Sequence, residues 1–148
     1  MRRLAVLLLL LASSAHAGEP VDQFGVEHPW RGPAESYRVI DFAAAWCTPC
    51  WTTLPKLVAL AAEHPDLSVL VIDVDDYETG RTQLIEGLDL ELPLLWDEEH
   101  VIAEHYSLKA LPATFVLDPA GEVIYESLGS GSEEWDAFRA FVEALELQ

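Results

Sequence analysis

Short apolar runs alternate along this chain with stretches in which apolar residues return every three or four positions, and the two periods predict its elements. Residues 38–44, with Val39, Ile40 and Phe42, form an apolar run typical of a buried strand. From the cysteines at 47 and 50 to about Glu63, Leu54, Leu57, Val58, Leu60 and Ala61 are spaced to bury one helix face. Pro55 predicts a kink there, because it has no N–H and its ring crowds the preceding turn. His64-Pro65-Asp66 breaks the helix, and residues 67–74 read as a central strand, apolar on both faces, that Asp75 and Asp76 end. Residues 78–88 look helical. Residues 92–96 form a short strand candidate whose pairing Pro93 leaves open. A short helix is expected over 98–106, with Asp97, Glu98 and Glu99 as its solvated start. Strands over 113–117 and 122–128 flank the turn Asp118-Pro119-Ala120-Gly121 and suggest a hairpin. The last helix, over 132–147, can be capped by Ser132 and puts Trp135, Phe138, Phe141, Val142 and Leu145 on one face. The order β, α, β, α, β, α, β, β, α predicts an α/β fold, with helices on both faces of one central sheet.

The first 17 residues follow a different pattern. Arg2 and Arg3 precede an unbroken apolar run, residues 4–12, and Ala15-His16-Ala17 offers a small-x-small cleavage site before Gly18. The run falls short of the roughly 20 residues that span a bilayer, so it reads as a cleavable signal peptide rather than an anchor. Residues 18–36, with Pro20, Pro29, Gly32 and Pro33, show no period and read as an irregular lead-in. Residues 37–148 are then one domain. The formal charge of −18 becomes −20 once Arg2 and Arg3 are lost with the leader. Such a surface disfavours nucleic acid and anionic lipid, and solubility alone is enough to explain it. A monomer is expected.

The chain has two cysteines, in Trp46-Cys47-Thr48-Pro49-Cys50, between an apolar run and a helix. A thiol at a helix start meets unpaired backbone N–H groups and the positive end of the dipole, and both favour thiolate. A structural disulfide is the bland alternative, but so small a loop removes unfolded-state entropy worth only about 2 kcal/mol. Structural zinc normally needs four ligands, which one CxxC and scattered histidines do not supply, so no metal or other cofactor is expected. His28, His64, His100 and His105 share no spacing and read as solvated or core-satisfied side chains.

Several of these features together resemble the thioredoxin superfamily, over about residues 37 to 147. Asp41 lies six residues before Cys47, as a buried aspartate does in thioredoxins; Pro55 follows Cys50 by five; and Leu111-Pro112-Ala113-Thr114-Phe115 resembles the family's cis-proline segment before its hairpin. The interval from Cys50 to Pro112 is longer than in plain thioredoxin by roughly one strand and one helix. Leu92-Pro93-Leu94-Leu95-Trp96-Asp97 and the segment from Thr114 to Gly121 resemble exported TlpA/ResA-type proteins. Relatives of that type have a longer N-terminal hairpin, and often asparagine where this chain has Asp41, which makes this site more like thioredoxin itself.

The resemblance implies a thioredoxin-like fold with a central mixed sheet and a TlpA-type insertion, and a thiol–disulfide oxidoreductase activity. Cys47 would be the exposed nucleophile and Cys50 would resolve the mixed disulfide, with Asp41, its pKa raised by burial, accepting the Cys50 proton. Pro112 would be cis, with Leu111 pairing its backbone to an extended substrate. Trp46 would pack beside the pair and shield it while Thr48 and Pro49 tune it; Trp51 would either extend an apolar docking surface or simply pack. The leader implies export, in a bacterium to the periplasm, where protein thiols and disulfides are the partners and a membrane electron donor would keep the pair reduced. Potentials from about −270 mV for thioredoxin to about −120 mV for DsbA differ by roughly 7 kcal/mol for two electrons, so direction is set by small changes. Proline before Cys50 and Asp41 lean towards a reductant, with c-type cytochrome assembly as one use. An oxidase or isomerase of exported proteins would use the same residues. Copper proteins of the superfamily tend to use CxxxC with a distal histidine, and a peroxidase needs a Pro-x-x-x-Thr/Ser-x-x-Cys arrangement absent here.

Overall fold

The computed structural model describes residues 19–145. The leader expected at residues 1–17 lies outside the described residues. Five strands form one sheet in the order β3-β2-β1-β4-β5: β1 Arg38–Ala43, β2 Ser68–Asp73, β3 Leu94–Trp96, β4 Ala113–Leu117 and β5 Val123–Leu128. β1 pairs parallel with β2, and β2 with β3; β4 runs antiparallel to both β1 and β5. The helices are α1 Cys50–Glu63, α2 Glu78–Leu88, α3 Val101–His105 and α4 Ser132–Ala144.

All six residues of β1 are buried, as befits a strand covered on both faces at the centre of the sheet. Asp41 pairs with Thr114 across the β1/β4 ladder and therefore shares its face. That face carries α1, α2 and α4: Lys56 of α1 lies over the Trp135 ring of α4 at 5.3 Å, and Arg139 of α4 bonds Glu63 of α1 at 2.7 Å. Phe42 points the other way, into an aromatic cluster with Tyr106 and Phe115 at centroid distances of 5.6 and 5.7 Å.

The buried face of α1 consists of Cys50, Thr53, Leu54, Leu57 and Leu60. Val58, expected on it, is 38% exposed, because the stripe set by Cys50 and Leu54 runs through Thr53 and Leu57 instead. Pro55 sits inside this helix without ending it. Ser132 is the first residue of α4, not its cap: the cap position is Gly131, which makes no side-chain hydrogen bond. Asp97, expected in a solvated helix start, is instead buried and accepts the N–H groups of Ile102 and Ala103 at 3.0 and 2.8 Å. The helix therefore begins at Val101, with Asp97 satisfying donors that would otherwise be orphaned.

The lead-in is irregular, with a single bridge between Val21 and Glu27, but it is bound to the sheet. Gln23 lies along the β3 edge, accepting from Leu94 N–H at 2.9 Å and donating to Leu92 and Leu90 carbonyls at 2.8 and 3.1 Å. One amide side chain thus occupies backbone groups that an exposed edge strand would leave open. Arg38, 1% exposed, donates to the carbonyls of Pro29, Arg31 and Gly32 and ties the segment to β1. Trp30 is buried, its carbonyl taken by the Tyr106 hydroxyl.

Candidate active site

β1 delivers the chain into a short loop, residues 44–49, that carries Cys47 to the mouth of α1. Cys47 and Cys50 form a disulfide with a Cα–Cα distance of 5.4 Å. Cys50 is completely buried and Cys47 is 4% exposed, so the expected exposed nucleophile is the more accessible of the pair but is not open while the disulfide is closed. Thr48 and Pro49 are exposed beside it. The N–H groups of Cys50, Trp51 and Thr52 already bond to the carbonyls of Cys47, Thr48 and Pro49. Free first-turn donors are thus not available in this state, and what favours a Cys47 thiolate is the dipole of a 14-residue helix.

The loop before the cysteines is held at one residue. Ala45 N–H donates to Asp75 Oδ2 at 2.6 Å, and its carbonyl accepts from the Trp51 indole at 2.9 Å. Both side chains need space that α2 provides with glycines. A Cβ on Gly80 would lie 2.2 Å from Asp75 Cγ, and one on Gly87 would lie 2.7 Å from Trp51 Cζ3. Trp51, half-buried, accordingly packs between α1 and α2. Trp46, expected beside the pair, is 68% exposed and borders a groove with Leu108, Lys109 and Leu111.

Two acids are buried on the same sheet face. Asp41 is wholly inaccessible; burial pushes its carboxyl up to about 7, against the opposing effect of the Thr114 hydroxyl, which donates to Oδ1 at 2.7 Å. Among the described residues its Oδ2 has no hydrogen-bond partner. Asp73, at the end of β2, is likewise raised by burial and by the Asp75 carboxyl beside it. Asp75 N–H donates to Asp73 Oδ1 at 3.1 Å. The Leu111–Pro112 peptide is cis, Pro112 is buried, and the Pro112 carbonyl accepts Gly129 N–H at 2.9 Å.

Three of the histidines pair locally or pack: His28 with Asp22 at 2.7 Å, His100 with Asp76 at 3.2 Å, and His105 edge-on against Trp30. Among the described residues no three His, Cys, Asp or Glu side chains gather as a metal ion would require, and no helix is long and apolar enough to cross a membrane. Asp75 and Trp51 as anchors of the cysteine loop, and Thr114 as the partner of Asp41, were not visible as such in the sequence. The one signal present was parity: Asp73 and Asp75 interrupt an otherwise apolar strand end.

A mixed sheet with this order, a CxxC at the mouth of the helix after β1 and a cis-proline before β4 define a thioredoxin-like protein. The chain belongs to the AhpC/TSA family, whose profile matches residues 28–126. Among characterised relatives it is similar to the thiol-disulfide oxidoreductase ResA of Bacillus cereus, 26% identical over 97 residues, covering 64% of this chain and 56% of that protein. Sporulation thiol-disulfide oxidoreductase A of Bacillus subtilis is 25% identical over 101 residues, covering 65% of this chain and 61% of the relative. The chain thus spans little more than half the length of these relatives. In three dimensions it resembles a putative thiol:disulfide interchange protein DsbE from Chlorobium tepidum, with a TM-score of 0.76 at 21% identity over 84% of this chain and 89% of that one.

Proposed function

We propose that this chain is an exported thiol–disulfide oxidoreductase that reduces protein disulfides, cycling Cys47 and Cys50 between dithiol and disulfide. The observation that carries the reading is the Cys47–Cys50 disulfide at the mouth of α1, in a fold that also carries a fully buried Asp41 and a cis Pro112. In the reduced protein the Cys47 thiolate attacks one sulfur of a target disulfide. One target thiolate leaves and takes a proton from solvent, and a mixed disulfide forms. Cys50 then gives its thiol proton to the Asp41 carboxylate and attacks Cys47 Sγ, releasing the second target thiolate and closing the internal disulfide. Two electrons pass to the target. A carboxyl near 7 suits this task, because it is ionised often enough to accept a proton and protonated often enough to return one.

Leu111, next to the cis peptide, would offer its backbone to an extended target segment, and Trp46, Thr48 and Pro49 would frame the contact; main-chain pairing gives affinity with little sequence preference. A membrane electron donor would return the pair to the dithiol, and the assembly of c-type cytochromes is a use that matches a periplasmic reductant. The names of the Bacillus relatives support the reaction class.

Equilibration of the pair with glutathione or a dithiol buffer tests the direction. A potential near the thioredoxin value of about −270 mV is expected; one near the DsbA value of about −120 mV would replace the reductant with an oxidase. Insulin-disulfide reduction tests the reaction itself, and Cys47→Ser is expected to abolish it. Wild-type turnover in that variant would overturn the nucleophile assignment, and stoichiometric Cu(I) binding without exchange would overturn the enzyme reading.

A further inference from the structure

Above pH 7 a proton accepted by Asp41 exchanges with solvent while the pair stays oxidised, yet the carboxyl is 0% exposed. When a target protein sits on the cysteines, any route past Cys47 is covered as well. Among the described residues the side chain of Asp41 has one hydrogen-bond partner, the Thr114 hydroxyl. Thr114 also forms the floor of a crevice between α1, β5 and α4, together with Thr53, Lys56, Ser127 and Glu134. It is 6% exposed, whereas Glu134 at the rim is open to solvent. Ser127 stands directly opposite Thr114 in the β4/β5 ladder, so a small side chain leaves the space above the hydroxyl clear.

From this placement we infer that the Thr114 hydroxyl is the proton exit of the site, carrying protons between Asp41 and solvent in the crevice between α1 and α4. The inference rests on the proposed dithiol–disulfide cycle. With Asp41 ionised, the hydroxyl donates to Oδ1. Once Cys50 has passed its proton to the carboxylate, rotation about the Thr114 Cβ–Oγ bond reverses the hydrogen bond. Thr114 Oγ accepts the carboxyl proton while its own hydrogen goes to solvent, which restores the carboxylate and a neutral hydroxyl. No electron moves in this step, since both have already passed through sulfur. When a donor reduces the pair, the proton returns by the same path. Thr53 donates its hydroxyl to the Pro49 carbonyl at 3.2 Å, which leaves its oxygen free to accept in the crevice.

A pH jump on the oxidised full chain, with the Asp41 carboxyl followed by its infrared C=O band, tests the assignment, beside oxidation of the reduced chain by a disulfide-bonded peptide, which shows that the pair cycles. The charged and titratable side chains around the site, Cys47 from the loop, Cys50 and Lys56 from α1, Glu134 from α4, Tyr125 from β5, Asp73 from β2 and Arg81 from α2, are retained in every variant. Thr114→Val keeps the shape and removes the hydroxyl. It is expected to slow deprotonation of Asp41 at least about tenfold. Thr114→Ser is expected to restore the rate, which separates loss of the relay from loss of packing. Ser127→Leu covers the hydroxyl from above while leaving the Asp41 hydrogen bond intact, and should slow deprotonation without moving the pH midpoint. Deprotonation of Asp41 in Thr114→Val at the wild-type rate overturns the inference. So does a shifted midpoint with an unchanged maximal rate, which reduces Thr114 to a tuning hydrogen bond. A wild-type chain that never closes its disulfide on the peptide overturns both this inference and the function it rests on, whereas a cycling wild type beside an unaffected Thr114→Val removes the exit alone.

Discussion

Replacing Asp41 by asparagine should make the protein more stable at neutral and alkaline pH, and the size of the effect follows from burial. The ordinary aspartate value is 3.8 and burial raises it to about 7 in the folded protein. A raised folded value means that the native state holds its proton while the unfolded chain gives it up. Stability is therefore fully present below pH 3.8 and is lost as pH rises to about 7. At 1.36 kcal/mol per unit, the wild type should lose about 4 kcal/mol from this one group between pH 4 and pH 8.5. Asparagine fills the same volume, can accept the Thr114 hydrogen bond and does not ionise. Guanidinium unfolding followed by tryptophan fluorescence, with the disulfide closed in both proteins, gives the stability at each pH. The contribution of Asp73, which burial raises as well, is common to both and cancels to first order in their difference. The two curves should converge near pH 4 and separate steadily above it, with Asp41→Asn the more stable. Parallel curves across the range would show that Asp41 does not ionise late, and the proton-acceptor role would lose its physical basis.

Gly80→Ala should displace Asp75 from Ala45, because the new Cβ would stand 2.2 Å from its carboxyl carbon; a loss of about 1–3 kcal/mol in thermal or chemical unfolding is expected, and an unchanged melt would contradict the close approach. Trp51→Phe retains an aromatic ring against α2 but leaves the Ala45 carbonyl without its indole donor, a loss of about 1 kcal/mol together with faster exchange of the loop amides. Gln23→Ala should expose the Leu94 amide and speed its hydrogen exchange roughly tenfold while leaving insulin reduction intact; a protected Leu94 would mean that something other than Gln23 covers the edge.

What was legible in the sequence was short in range. The strands at 38–44, 113–117 and 122–128 and the helix at 78–88 depend on local periodicity, and the observed elements match them to within a residue or two at each end. The cysteine pair and Asp41 were legible because their offsets along the chain are small, and Pro112 because the segment Leu111-Pro112-Ala113-Thr114-Phe115 around it resembles the cis-proline segment of thioredoxins. The polar contacts that hold the site were not. Asp75 reaches Ala45 across 30 positions, and Gln23 reaches Leu94 across 71. Nothing in the local pattern distinguishes such an acid or amide from a solvated one. Asp97 shows the same limit in a helix start: beside Glu98 and Glu99 it reads as surface charge, whereas two backbone donors in the folded chain make it an interior group. Trp46 and Trp51 flank the cysteines as equivalents in sequence, whereas in the fold Trp46 is exposed and Trp51 half-buried, in space left by the missing Cβ of Gly87 on another helix.

The buried acids of the sheet face differ in a way that bears on what each is for. Asp75 is tied down by a backbone donor: its Oδ2 accepts Ala45 N–H at 2.6 Å and so holds the loop before the cysteines. Asp41 makes a single bond, with a neutral hydroxyl, and leaves Oδ2 unpartnered in a completely buried place. An amide would satisfy that hydroxyl without the ionisation penalty of about 4 kcal/mol above pH 7. What a carboxyl has there and an amide lacks is the capacity to take up and release a proton. The arrangement therefore fits a group that titrates during turnover better than one that supports the fold, and the Asp41→Asn protein should show both consequences together: greater stability at high pH and slower closure of the Cys47–Cys50 disulfide.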